Sequence, residues 1–392
     1  MQRRMFIMLA GLGAACIALS PVHAQDTIKI GVVNVLSGQF ADAGVQLDNG
    51  IKTYMKQHGD TVAGKKIEII RRDVGGPAPD VAKRLAQELV VRDNVDILAG
   101  FLLTPNALAA ADVSAQAKKF MVVMNAATSI IITKSPNMIR TSVTLPQVMD
   151  TFGTWAAKQG VKKCYTMVTD YGPGHDSEAA FTRAFKAGGG EIIGSVRFPV
   201  ANPDFSAFVQ RAKDMNPECI YIFIPGGAQP AALGKALAER GIDPNKVKIL
   251  ASGEVTAEQA LKSMGDAAIG IISAWHYDYK NDSKLNHQFV KLFNEMHGRN
   301  PDFFSIGSYD GMHAIYEAVK KTGGKTDGDA LSAAAKGMKW ESPRGPMSID
   351  PETRDVVQTV YIRRVQKVGN ELVNVPFDKI ENVKDPSRAG TN

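Results

Sequence analysis

The 392-residue sequence is 44% hydrophobic and carries 46 basic against 40 acidic side chains, a net charge of +6. The basic excess is thinly spread, with no cluster of Lys and Arg interleaved with aromatics, which argues against a nucleic-acid-binding surface. No apolar run after residue 24 is long enough to span a bilayer, and the length suffices for two cores of ordinary domain size.

The chain opens with Arg3 and Arg4, an uncharged apolar run from Met5 to Ser20, and Val22-His23-Ala24. This pattern predicts a secretory signal over residues 1–24, cut after Ala24, and a soluble exported chain. Cleavage removes two arginines and no acids, so the net charge falls from +6 to +4. A twin-arginine route through Arg3-Arg4-Met5-Phe6-Ile7, lipoprotein processing at Cys16 and an uncleaved anchor compete for the same residues.

Strand-like runs at 27–36, 66–72, 96–100 and 120–124 alternate with helical spacing at 44–58, 79–92 and 105–118. Such alternation predicts a parallel sheet covered by helices on both faces. After a helical stretch ending at Gln159 the pattern restarts, with strands at 163–169, 191–198, 219–224, 247–251 and 269–274 and helices at 175–187, 204–215 and 229–240. Two similar α/β units therefore follow one another. Cys164 and Cys219 open two of the later strands; a disulfide between them is open, and two buried thiols is the favoured reading. The last third has long amphipathic helices at 283–297 and 303–322 and a strand at 358–365, which complete the two lobes and make the chain cross between them repeatedly. The expected division is 25–145 with about 279–345 as lobe one, 146–278 with about 346–376 as lobe two, and 377–392 as a tail.

In such sheets a ligand sits in the crevice at the carboxyl ends of the strands. In lobe one these ends are Ser37-Gly38-Gln39-Phe40, Leu102-Leu103-Thr104-Pro105 and Asn125-Ala126-Ala127-Thr128-Ser129, small and hydroxyl-bearing residues before helix starts that suit a carboxylate, or that simply cap the helices. In lobe two they are the loops carrying Tyr171, Gly227 with Ala228, Glu254 and Trp275; the two aromatic rings can clamp an apolar ligand body or pack on their own lobe. Gly172-Pro173-Gly174 lacks the third glycine of a dinucleotide loop, and no phosphate loop, Gly-x-Ser-x-Gly elbow or His-Glu-x-x-His occurs, so neither an enzyme nor a cofactor is expected. His276 and Asp278 are a conceivable metal pair, outweighed by a polar crossing segment.

Ile30-Gly31-Val32-Val33-Asn34-Val35-Leu36-Ser37-Gly38, Asp48-Asn49-Gly50, Asn125-Ala126-Ala127-Thr128, Ser342-Pro343-Arg344-Gly345-Pro346-Met347-Ser348-Ile349-Asp350 and Tyr361-Ile362-Arg363-Arg364 resemble, in order and spacing, the leucine/isoleucine/valine-type substrate-binding proteins of ABC importers. The resemblance covers residues 27–375. It implies an α/β protein of two Rossmann-like lobes joined by a multi-crossing hinge, the type I periplasmic binding protein fold. It also implies a periplasmic location, a monomer, a small carboxylate ligand and membrane permease subunits as partners. Carried over by position, Thr104 and Ala126 with Thr128 form the carboxylate nest and Tyr171 the second-lobe tyrosine. A later tyrosine is replaced within Gly226-Gly227-Ala228, and Glu254 matches the family's acid only with a one-residue shift.

Without a firm ammonium partner, an amino-acid head is disfavoured. The expected ligand keeps the carboxylate and carries an aromatic or other apolar body, bound by Gln39, Phe40, Phe101, Leu103, Thr104, Ala126, Ala127, Thr128, Tyr171, Gly227, Ala228, Glu254 and Trp275, with Gln39 or His175 meeting a ring hydroxyl. Branched-chain or other amino acids are the alternative ligand. A sensor reporting to a membrane receptor is the alternative role.

Overall fold

A computed structural model describes residues 26–244 and 246–388; the predicted leader, its cleavage after Ala24 and Cys16 lie outside them. The first sheet contains β1 (Thr27–Asn34), β2 (Thr61–Val62), β3 (Lys65–Asp73), β4 (Ile97–Gly100), β5 (Phe120–Val123) and β6 (Met138–Arg140), with α1 (Ala41–His58), α2 (Pro79–Val91) and α3 (Thr104–Ala117) between them. Every residue of β4 and β5 is buried, as strands covered on both faces by helices must be. The strand order is β2-β3-β1-β4-β5-β6.

The second unit repeats this order. It runs through α4 (Leu145–Lys158), β7 (Lys163–Thr169), α5 (Gly172–Ala187), β8 (Glu191–Phe198), α6 (Phe205–Asp214), β9 (Cys219–Phe223), α7 (Gln229–Glu239), β10 (Lys248–Ser252), α8 (Glu258–Met264) and β11 (Ile272–Trp275). Here β8-β7-β9-β10-β11 corresponds to β3-β1-β4-β5-β6. In both sheets the order reverses beside the first strand of the unit, between β1 and β4 and between β7 and β9, so both crevices open at these carboxyl ends.

The remaining chain is divided between the lobes. Helices α9 (Lys284–His297) and α10 (Phe303–Lys321) pack on α1, and α11 (Gly328–Ala335) packs on β5 and β6. The short pair β12 (Lys339–Ser342) and β13 (Gly345–Ile349) leads into β14 (Val356–Val368), which pairs antiparallel with β11 and with β15 (Glu371–Val383). Strand β15 runs beyond residue 376, where the sequence pattern places the start of a tail. Its exposed Asp378, Lys379 and Glu381 conceal it, because an edge strand carries charge where a central strand carries Val or Ile.

Each segment linking the lobes involves a buried arginine. Arg140 pairs with Asp355 at 2.8 Å, Arg344 with Asp310 at 2.9 Å and Arg363 with Asp278 at 3.5 Å. Arg140 also donates to the carbonyls of Ala126 and Thr128, and Arg363 to that of Tyr277. These bonds satisfy backbone groups in irregular chain that no helix or sheet can satisfy.

Cys164 and Cys219 form a disulfide, correcting the expectation of free thiols. They stand directly opposite in the parallel register of β7 and β9, with Cα atoms 4.6 Å apart. The bridge closes a separation of 55 residues at the amino ends of the strands, away from the crevice. Replacing both cysteines by alanine is expected to lower unfolding stability by about 2–4 kcal/mol while leaving ligand affinity within about twofold. Denaturant titration and calorimetry of the double variant measure both.

Candidate functional site

The carboxyl ends of the strands face one another across a narrow cavity with about 10 Å³ of free space, room for about one water molecule. Lobe one contributes Ala43, Leu102, Leu103, Thr104, Asn125, Ala126, Ala127 and Phe304; lobe two contributes Leu145, Tyr171, Pro173, Pro225 and Glu254. Glu254 is the one charged residue type in this lining, and no basic side chain reaches it.

Three helices begin at the cavity. Thr104 starts α3, Leu145 starts α4 and Gly172 starts α5, each with proline in its first turn. At α4 the Leu145 N–H donates to the Ala127 carbonyl and the Gln147 N–H to Thr144 Oγ1, so it is the starts of α3 and α5 whose first N–H groups and positive dipole ends favour an anion without a formal positive charge. On the lobe-one side Thr104 Oγ1 and Thr128 Oγ1 lie 2.9 Å apart in a shared hydrogen bond, and each retains further capacity to donate or accept. The side-chain amide of Asn125 donates to the carbonyl of Leu102 at 2.8 Å, tying the two lobe-one loops together.

Lobe two brings a different chemistry. Glu254 is only 7% exposed, and its Oε2 is buried without a hydrogen-bond partner. Burial pushes its carboxyl up to about 8, so it keeps its proton at neutral pH. The half-buried Tyr171 lies near it, its hydroxyl raised by burial and then by the Glu254 charge, with its ring 6.2 Å from that of Phe223. Helix α5 comes so close to β7 that a β-carbon on Gly174 would fall 1.8 Å from the carbonyl oxygen of Thr169, which explains the small residue there.

Of the residues expected at the site, Leu103, Thr104, Ala126, Ala127, Tyr171 and Glu254 line the cavity, and Thr128 lies one hydrogen bond behind Thr104. The others are elsewhere. Phe101 has a left-handed φ of 64°, and its fully buried ring belongs to the core formed with Leu85, Leu98 and Met121. Trp275 is fully buried edge-on against Phe303, with its ring beneath Gly253. His175 pairs with Asp170 at 2.7 Å on the surface. Gln39 and Phe40 meet Gly227 directly across the lobes, and Ala228 is exposed at the start of α7.

Sequence reasoning missed Phe304. It arrives from the start of α10, where Asp302 accepts from the backbone N–H groups of Phe304 and Ser305, and its ring faces Gly226 across the cavity. The visible signal was a capping pair, Asp302 and Ser305, bracketing two aromatics. Among the described residues no group of three or more His, Cys, Asp or Glu side chains is placed to hold a metal. His276 is buried with both ring nitrogens unpartnered, and burial with Arg344 and Arg363 nearby lowers its basicity.

Two lobes of like topology, a crevice at their switch points and several buried crossings fit one family, and the periplasmic binding protein family matches residues 27–370. The chain belongs to that family. Its fold is that of the type I periplasmic binding proteins. A Leu/Ile/Val-binding protein homolog 6 of Brucella melitensis is 41% identical to it over 384 residues, covering 97% of this chain and 98% of the relative. A solute-binding protein of an ABC transporter from Rhodopseudomonas palustris BisB5, in complex with 3,4-dihydroxybenzoic acid, superposes with a TM-score of 0.90 at 51% identity, covering 93% of this chain and all of that one. Another from R. palustris HaA2, in complex with p-hydroxybenzoic acid, gives a TM-score of 0.90 at 41% identity, with the same coverage. For this binding protein, the cavity between the lobes is the site at which those similarities meet the geometry.

Proposed function

We propose that this protein is the solute-binding component of an ABC importer in the periplasm and that its ligand is a small aromatic carboxylate. The observation that carries the reading is the two-sided cavity: hydroxyls and helix starts from Thr104, Thr128 and the first turn of α3 on lobe one, apolar walls from Leu102, Leu103, Leu145, Pro225 and Phe304, and no ionised partner for an ammonium group. The solved relatives that bind hydroxylated benzoic acids support it. The carboxylate docks first on lobe one, and closure then brings Tyr171 and Glu254 over the ring. Only a ligand touching both lobes shifts the open and closed populations. The closed form is what the membrane permease subunits would recognise, with the monomer as the working unit and no turnover of the ligand.

Isothermal titration of the mature chain with benzoate, 4-hydroxybenzoate, leucine, isoleucine and valine tests this. Saturable binding of at least one aromatic acid, with the aliphatic amino acids at least about tenfold weaker, is expected. Tight binding of the branched-chain amino acids with no response to aromatic acids would overturn the reading in favour of amino-acid transport.

A further inference from the structure

Resting on the aromatic-carboxylate reading, we infer that Glu254 is the specificity-determining residue for a hydroxyl group on the ring, exchanging hydrogen bonds with it at the end of the ligand that faces lobe two. Thr104, Thr128 and the start of α3 hold the carboxylate from lobe one, joined there by the start of α5, where a β-carbon on Gly172 would lie 3.3 Å from Thr128 Oγ1. Glu254 enters the same cavity from a different lobe-two loop and meets the part of a benzoate-sized ligand opposite its carboxylate. There, the buried Oε2 of Glu254 has no partner within the protein. A buried polar atom left unpaired is destabilising, and a ligand group that pairs it recovers that loss on binding.

The position of Glu254 is tightly held. A β-carbon on the preceding Gly253 would lie 2.2 Å from Trp275 Cγ and 2.7 Å from Arg363 Nη2, so the loop is clamped between two buried side chains. On the cavity side a β-carbon on Gly226 would lie 3.6 Å from the Phe304 ring and 4.0 Å from Glu254 Cβ, so Glu254 lines the cavity beside a ring supplied by lobe one. Arg363 does not neutralise it, since that guanidinium is taken by the Tyr277 carbonyl, Ser273 Oγ and Asp278.

The required chemistry follows from hydrogen-bond inventories. A carboxyl that holds its proton offers one O–H donor and free acceptor lone pairs. A phenolic hydroxyl also donates and accepts, so the two groups complement one another. An ammonium can only donate and prefers an ionised partner; a methyl group can do neither. The cavity should therefore reject both at this end while tolerating an unsubstituted ring poorly.

Calorimetry at neutral pH with 4-hydroxybenzoate, benzoate and 4-methylbenzoate decides the matter. The wild-type protein should bind the hydroxy acid about 10- to 100-fold more tightly than the other two. Glu254→Gln, whose amide also donates and accepts, should keep most of that preference. Glu254→Leu should erase it, leaving the three acids bound within about threefold of one another, and a wild-type-like urea unfolding transition reports that the variant folds. Equal wild-type affinity for all three acids, or a full hydroxyl preference surviving in Glu254→Leu, overturns the assignment. The wild-type ligand series and the Gln variant keep the test decisive should the Leu variant misfold. Failure of the wild-type protein to bind any of the three acids is a different result: it overturns the aromatic reading itself.

Discussion

Replacing Arg140 by alanine is expected to destabilise the protein by about 3–5 kcal/mol and to weaken ligand binding at the same time. The side chains of Arg140 and Asp355 are 0% and 2% exposed, so removing the guanidinium leaves a carboxylate in the interior without its hydrogen-bonded ion-pair partner, with Arg354 and Arg388 acting on it only through space. Its neighbours suffer as well, because Arg140 Nη1 donates to the carbonyls of Ala126 and Thr128 at 2.9 and 3.0 Å. Those residues shape the lobe-one wall of the cavity, so the loop that presents Thr128 to Thr104 loses its anchor.

The pH dependence gives the cause away. Burial already raises the Asp355 carboxyl above its ordinary range, with Arg140 working against it. In the variant that opposition is gone, and the folded state binds a proton more tightly than the unfolded chain. Stability of the variant relative to the wild type should then recover as the pH falls toward the ordinary carboxyl range and worsen as it rises. Asp355→Leu added to Arg140→Met should restore much of the loss, since two apolar groups leave no unpaired charge. Urea unfolding of the three proteins at several pH values measures these differences; an Arg140→Ala variant with wild-type stability would show the pair to be dispensable.

The strand and helix pattern was legible because buried parallel strands such as Ile97–Gly100 and Phe120–Val123 are unbroken apolar runs ending in turns. The same logic brought Thr104, Ala126, Tyr171 and Glu254 to the crevice, since it needs only the end of each strand and not the direction of each side chain. Where direction matters, the logic fails. Phe101 sits at the end of its strand like Leu103, but its left-handed backbone turns the ring into the helix-covered core. The arginines were invisible for another reason: Arg140 and Asp355 are 215 positions apart, and nothing local in either stretch signals the other. Phe304 was lost in the same way, brought to the cavity by a helix that belongs to lobe one only through its packing on α1.

Gly227 illustrates what the strand-end rule saw and what it misassigned. The residue belongs to the crevice, yet it faces the opposite lobe and not the cavity. Its φ is 67°, and a β-carbon there would fall 2.6 Å from the carbonyl oxygen of Gln39 and 3.0 Å from the Phe40 ring. The first obstacle is backbone and cannot swing aside. Gly227→Ala is therefore expected to hold the lobes apart, lowering affinity for any ligand that needs both of them by about 10- to 100-fold, because binding must now offset a less favourable closed state. The open form feels only the cost of a non-glycine residue at positive φ, about 1 kcal/mol. Calorimetry paired with small-angle scattering separates the two effects: the variant should unfold almost as the wild type does, bind weakly, and fail to show the ligand-induced compaction of the wild type. Wild-type affinity in Gly227→Ala would mean that the contact between Gly227 and the Gln39–Phe40 loop is not part of the ligand-bound state. Loss of stability and affinity in equal measure would place the glycine's role in folding. Affinity lost with stability kept identifies it as the point where the two lobes must touch before the ligand is fully held.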